Sequence, residues 1–516
     1  MAFGNVYLEH MRQARELTGL PVDGASGRSG CYAGLKARNA EVCRLLEQNN
    51  LFLQSEVLPF LAPGTPLDGA RAGALSGFAS SLAALNARQP ADPLLCWKLH
   101  KRLGGCACCR EIPCGQVRPC SPADIPVLSQ ADAILREYTG WDDARYGDTG
   151  DVSRLFAAFA TRHAALEPTL GTDPECRRLL TQLYRDLARC LLRLPPNACS
   201  ESSRSSLAAI LSRFHEPEEG GIFFAQMSAL VLSAIHPATY VHSLMVGQIA
   251  KALGMTLIER EPERLIGLCG CENAAQVRSR RVRIAHHMYQ CGFYHDLGKL
   301  HCLELIDINY RSLFNGEFER IRLHPEAGGA LLRRSPSTAI YADAALGHHA
   351  WYNGQGGYPG GFSRNACAQP VAVDITALAD CLDSATDTAF LGHSQGKSLE
   401  SFIEEARDGA GSRYAPYAVA LLDDPAFCRE LEALLARGRE EAYRFACHRC
   451  REQLPASGSE GTKDAPRPAR GGFQRGFRAP FQPVRDLRST LRHASPACFG
   501  ALRGRPRAQR IHRPVL

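Results

Sequence analysis

The chain is expected to be all-α, and three observations point that way. Apolar residues recur at helical spacing, for example at Leu179, Leu183, Leu187 and Leu191, and again at Val241, Met245, Ile249 and Leu253. Alternating β-branched runs of the kind that build strands are scarce. Long stretches dominated by Ala and Leu, both strong helix formers, are separated by Pro- and Gly-containing breaks. Of the 516 residues 45% are apolar and 22% charged, a composition that buries a core and excludes wholesale disorder. That length suits about three units.

Residues 1–225 read as a helical N-terminal region. Helices are expected over 40–61, 70–87, 152–166 and 175–194, with breaks at 61–66, 90–93 and 194–197, where Pro and Gly cluster. No secure repeat period emerges and no chemistry is legible in this half. Five cysteines, Cys106, Cys108, Cys109, Cys114 and Cys120, crowd one stretch. A thiolate zinc site would want paired Cys-x2-Cys knuckles. This spacing lacks them, so an irregular loop between helices is expected. Cys447 and Cys450 have knuckle spacing but no second pair, and they stand at the end of a helix.

The formal net charge of +7 is local. Residues 451–516 hold 14 Lys and Arg against 4 Asp and Glu, a surplus of 10, so the other 450 residues carry −3. A basic, Pro-, Gly- and Arg-rich disordered tail is expected over 441–516. Nucleic-acid binding is not expected of the folded part. No stretch reaches the ~18 uninterrupted apolar residues of a membrane span; the longest candidate, 223–235, contains Gln226, Ser228 and Ser233. The N-terminus has no basic segment followed by an apolar core, so the expectation is a soluble cytoplasmic protein with reduced thiols.

Residues 226–440 carry the chemistry. The helix with Val241 to Leu253 presents His242. A second helix, over 284–299, ends in Gly292-Phe-Tyr-His-Asp-Leu-Gly-Lys299, with Gly298 suited to a helix C-terminus. His324-Pro325 opens a third, because Pro is tolerated in a first turn. Residues 342–349 form a fourth that ends in His348-His349, and 372–383 form a fifth that presents Asp380. A carboxylate bridges two cations through its two oxygens while imidazoles fill terminal positions. Two cations so held clamp a phosphodiester. Adjacent histidines on a helix diverge by about 100°, so each ring reaches a different metal. The candidate ligands are His242, His295, Asp296, His324, His348, His349 and Asp380. Imidazole with carboxylate suits iron or manganese, with zinc also accepted. Lys299, one turn after His295, is placed to hold a substrate phosphate as a point charge. The pair His286-His287 is left out. Any one of these histidines alone reads as structural; the order and spacing of the set carry the reading.

In these pieces the chain resembles the HD-GYP subgroup of the HD phosphohydrolase superfamily. The matching motifs are His242-Ser243, His295-Asp-Leu-Gly-Lys299, the segment from Glu317 to His324-Pro-Glu-Ala-Gly, and Gly347-His348-His349. They continue with Asn353-Gly-Gln-Gly-Gly357-Tyr358-Pro359, Ala379-Asp380-Cys-Leu-Asp383 and Gly409 to Pro416. The likeness covers residues 226–440, about two-fifths of the chain. It implies a helical bundle around a two- or three-metal centre that hydrolyses cyclic di-GMP to pGpG or GMP. Asp296 would bridge the metals, Lys299 would steady the phosphate, and the Gly357-Tyr358-Pro359 loop would line the substrate cleft or meet a partner domain.

Departures from the family pattern qualify what it implies. Ala238 stands four residues before His242, where members with a third metal carry Glu, so two metal ions are expected. Ala350-Trp351 and Asn353-Gly354 replace the family's Glu-Arg and Asp-Gly. Lys397 fills the family's substrate-phosphate Lys role, while its Arg has no clear counterpart. A different cyclic dinucleotide or nucleotide, or nucleotide binding without turnover, are therefore the alternative readings. The N-terminal region is left with three roles, sensing, homodimerisation or docking of a cyclase-type partner, with no choice among them.

Overall fold

The computed structural model describes residues 3–17, 30–62, 65–88, 92–103, 236–306, 308–333, 336–389 and 396–453, with single residues and short runs between 159 and 233. The fold is all-α. Among the described residues there is no strand, and β pairing is limited to isolated bridges, Ala350 with Gly357 and Ala410 with Tyr414. Met1–Pro455 form one compact unit. Ala456–Leu516, the cysteine cluster at 106–120 and most of the expected helices over 152–166 and 175–194 lie outside the described residues.

The N-terminal helices α1 (Asn5–Leu17), α2 (Gly30–Phe52), α3 (Gly69–Arg88) and α4 (Pro93–Arg102) surround a small core. In α1 the buried residues Tyr7, Met11 and Ala14 recur every three or four positions, which gives it one apolar face. They meet Leu45, Phe78, Leu82, Leu95 and Leu99, and also Tyr310 from far along the chain. α4 opens with Pro93 in its first turn, and Asp92 caps it by accepting the Leu95 N–H.

The larger core is built on α5 (Pro237–Arg260), α6 (Arg281–Tyr294), α7 (His324–Leu332), α8 (Ala342–Gly347), α9 (Pro370–Thr386), α10 (Leu399–Asp408), α11 (Pro425–Ala433) and α12 (Arg439–Gln453). α5 is apolar nearly all round and therefore central, packed against α6, α9 and α12. By length and composition alone α5 would cross a membrane, but most of it is buried inside the bundle.

Two expectations are corrected. The helix over 284–299 ends at Tyr294, and a 3₁₀ turn, Leu297–Cys302, follows. Gly298 is therefore no helix cap. A Cβ there would lie 1.9 Å from the His324 carbonyl oxygen and 2.5 Å from Gly328 N, so glycine is what lets this turn lie against α7. At the other end, α12 runs through residue 441, where the tail was expected to start. Ala442, Tyr443 and Ala446 are buried on its inner face, and the polar and basic residues between them mask that pattern in the sequence.

Candidate metal centre

The centre is assembled from helix ends. α6 stops at Tyr294 and His295 follows; α8 stops at Gly347 and His348 follows; the short helix Asn315–Ile321 stops just before His324. The last carbonyls of a helix have no intrahelical partner. Each of these histidines uses one, donating its Nδ1–H to the residue three positions back: Gly292 O at 2.6 Å, Ile321 O at 2.8 Å and Ala345 O at 2.8 Å. His242, on α5, donates its Nδ1–H to Asp383 Oδ2 at 2.8 Å. With Nδ1 committed as a donor, all four rings turn Nε2 inward, as metal-binding histidines do.

Inside, the buried Asp296 faces two groups with its two oxygens. On the Oδ2 side stand His242 Nε2 at 3.5 Å and His295 Nε2 at 3.4 Å, with Asp380 Oδ1 3.1 Å from His242 and 3.6 Å from His295. On the Oδ1 side stand His324 Nε2 at 3.3 Å and His348 Nε2 at 4.0 Å. His349 Nδ1 faces the other oxygen of Asp380 at 3.6 Å. The groups His242–His295–Asp380, His295–Asp296–His348 and His324–His348–His349 each bring donor atoms close enough to hold a metal ion. All seven expected ligand residues are thus in one cluster. Ala238, one turn before His242, is buried and offers no ligand atom.

The donor set fits cations better than protons. His324 Nε2 and His348 Nε2 are 3.2 Å apart, and both rings already spend their N–H on carbonyls, so two lone pairs face each other. Such a spacing suits two imidazoles that share one cation at roughly 2.0–2.1 Å each. Buried Nε2 of His295 and both oxygens of Asp296 lack a hydrogen bond of good geometry. Burial, followed by the neighbouring imidazoles, pushes His348 far below its ordinary value; burial brings His349 down to about 3, so both are neutral at pH 7, the form in which imidazole binds metal. Burial alone would raise the Asp296 carboxyl, but Lys299, His295 and His324 hold it well below the usual range. His242 goes the other way. Burial disfavours its charge, yet Asp380 and Asp383 together raise it to about 10.

The cluster opens on one side. Lys299 and His349 are 22% and 24% exposed, while the side chains of His242, His295, Asp296, His324, His348 and Asp380 are buried. Lys299 Nζ lies 2.6 Å from Asp296 Oδ2, and Asp296 outweighs burial to hold the ammonium above its ordinary value. The Tyr358 ring stands 4.5 Å from that of His349, and Tyr358 N–H bonds the His349 carbonyl at 3.2 Å. Gly357 makes this approach feasible: its φ is +77°, and a Cβ would sit 2.0 Å from His349 O. Pro359 follows on the same loop. The Lys397 ammonium pairs with Glu405 at 2.6 Å, and Glu405 also holds Arg413, whose Nη2 lies 3.3 Å from the Cys381 sulfur. His287, left out of the set, is buried, with its Nε2 2.5 Å from Gln369 Oε1.

Sequence reasoning missed the support behind His242. Asp383 sits one turn beyond Asp380 on α9, a spacing that shares a helix face, and this was the available signal. Its partner Arg439 lies 56 residues further on and gave none.

Over 174 residues the chain is 28% identical to a Thermotoga maritima protein named cyclic di-GMP phosphodiesterase. The chain is similar to a phosphodiesterase. The matched stretch is 33% of this chain and 45% of the relative, so the chain spans less than half the length of the protein it matches. No family model and no solved structure matches.

Proposed function

We propose that the chain is a metal-dependent phosphodiesterase that opens cyclic di-GMP to pGpG or GMP, in cytoplasmic bacterial second-messenger signalling. One observation carries the reading: a buried carboxylate, Asp296, with one oxygen toward His242 and His295 and the other toward His324 and His348. The similarity to a phosphodiesterase agrees with it.

His242, His295 and Asp380 would hold one divalent ion, His324, His348 and His349 the other, and Asp296 both; iron or manganese is the expected metal and zinc is compatible. Such ions, when bound, polarise a phosphoryl group and make water a competent nucleophile near neutral pH. The chain's residues do the rest. Substrate enters on the side of Lys299, His349 and Tyr358, because the remaining ligands are buried. Lys299 places its positive charge beside Asp296, where it neutralises a non-bridging phosphoryl oxygen. Gly357, Tyr358 and Pro359 wall the opening, with the Tyr358 ring holding that of His349 in place. Water adds to phosphorus, the P–O3′ bond breaks, and the 3′ oxygen leaves with a proton.

The test is direct. Protein loaded anaerobically with iron(II) or manganese(II) is incubated with cyclic di-GMP, and linear products are followed. No turnover with iron, manganese or zinc would overturn the proposal. A second reading, hydrolysis of another cyclic dinucleotide or nucleotide, is favoured by the capture of Lys397 by Glu405. A substrate panel separates the two.

A further inference from the structure

We infer that Arg439, on the C-terminal helix α12, is a positioning residue of the metal centre that sets the orientation of His242 through Asp383. The inference rests on the metal-centre reading above and names a part of the site outside the motifs that suggest it.

The contacts form one buried line. Arg439 Nη2 donates to Asp383 Oδ1 at 2.6 Å, and Asp383 Oδ2 accepts the His242 Nδ1–H at 2.8 Å. His242 Nε2 then faces Asp296 and Asp380. Arg439, Asp383 and His242 are 3%, 1% and 4% exposed, so water does not compete for any of these bonds. A free carboxylate presents either oxygen to a neighbour. Here the guanidinium occupies Oδ1, so Oδ2 is the oxygen left for the imidazole. That fixes Nδ1 of His242 as the donor to Asp383 and directs its Nε2 toward Asp296 and Asp380, the task an outer partner performs for a metal-binding histidine.

Arg439 is itself clamped. Nη1 donates to Thr386 O at 2.8 Å and Nη2 to Thr386 Oγ1 at 2.9 Å, so the fork is held against the end of α9, the helix that carries Asp380 and Asp383. A lysine has the charge but not the fork, and cannot hold Asp383 and the Thr386 carbonyl together in this geometry. A second buried acid, Asp387, lies near the same guanidinium and accepts from the Tyr443 hydroxyl at 2.7 Å. The Tyr443 ring packs on Tyr32 of α2, and Asn39 of α2 donates to Thr388 O at 3.1 Å. Helices from both ends of the compact unit therefore back the same metal ligand. The alternative is a plain structural tie between α12 and α9. That tie needs only the Thr386 contacts and predicts no special relation between Arg439 and Asp383.

Manganese(II) binding to the full chain decides between them, read by titration calorimetry and electron paramagnetic resonance, with a thermal melt for each variant. Wild type is expected to bind two ions. Arg439→Gln should weaken one by ~10-fold or more and leave the other unchanged. Asp383→Asn should weaken the same ion. The decisive arm is the double variant: Arg439→Gln added to Asp383→Asn should bring no further loss, because the arginine acts through that carboxylate. Should Arg439→Gln fail to fold, Arg439→Lys, which keeps the buried charge, carries the same comparison. Folded variants that bind manganese like wild type, or losses that multiply in the double variant, overturn the inference alone. A wild-type chain that binds no divalent ion overturns the metal-centre reading, and the inference falls with it.

Discussion

Replacing Arg311 with Met removes a positive charge from a place with no water. The Arg311 side chain has no exposed surface. It holds both oxygens of Asp92, at 2.7 and 2.8 Å, and both oxygens of Glu317, at 2.8 Å each. Asp92 belongs to the N-terminal helices and Glu317 to the short helix that leads to His324, so this one side chain latches the N-terminal core to the support of the candidate metal centre. Methionine keeps most of the volume and leaves two carboxylates in the interior. Breaking a buried pair costs about 3–5 kcal/mol. Two orphaned carboxylates put the loss near the top of that range, about 5 kcal/mol, while the Tyr7 hydroxyl and the N–H groups of Leu95 and Phe314 still bond them and keep it from rising further. The melting temperature should fall on the order of 10 °C. Hydrogen exchange should rise in α1 and over 310–321. Adding Asp92→Asn and Glu317→Gln, which removes the stranded charges, should restore most of the loss. As a contrast, Arg333→Ala breaks a half-exposed pair with Asp343 and should cost no more than about 0.5 kcal/mol. An Arg311→Met protein that melts within about 1 kcal/mol of wild type would refute the argument that the pair carries the joint.

Gly298→Ala should cost about 3 kcal/mol or more and weaken manganese binding together with stability, because its Cβ would strike the His324 backbone; normal melting and normal binding would show that the turn has room to shift. Burial lowers His287 from 6.5 to about 4, so its unfolded form takes up a proton at a higher pH than its folded form. The associated stability is therefore complete above about pH 6.5 and is lost as pH falls to about 4, worth about 3 kcal/mol; urea melts of wild type and His287→Leu should diverge over that window, and parallel curves would contradict this. Asp380 and Asp383 raise His242 to about 10, so cation binding near pH 7.5 must displace a proton from its Nε2. Calorimetry in buffers of different ionisation enthalpy should register about one proton released, and buffer-independent heats would not fit.

That the seven candidate ligands belong to one cluster was legible because they are chemically rare and ordered along the chain. His295-Asp296 and His348-His349 announce themselves, and each sits just beyond the end of a helix. The Tyr358 loop was legible for the same reason. Long-range pairs were not. Arg311 finds Asp92 across 219 residues, and Arg439 finds Asp383 across 56. Nothing local marks a buried arginine, since its charge reads as surface until its partners are placed. The same blindness misplaced the end of the fold: α12 carries Arg439, Glu440, Glu441 and Arg444, and among its described side chains Ala442, Tyr443 and Ala446 are the apolar ones that mark the buried face. Gly298 read as a helix stop because glycine favours that position, whereas the physical demand on it comes from the backbone of α7.

The account turns on Asp296 as the carboxylate shared by two cations in a phosphodiesterase. Metal content and cyclic di-GMP hydrolysis, measured on the same preparations of wild type and Asp296→Ala, test it most directly. The account predicts two tightly held divalent ions per chain and linear product for wild type, with both lost together in the variant while its fold persists. An Asp296→Ala chain that keeps its metal, or that still hydrolyses the substrate, would contradict it.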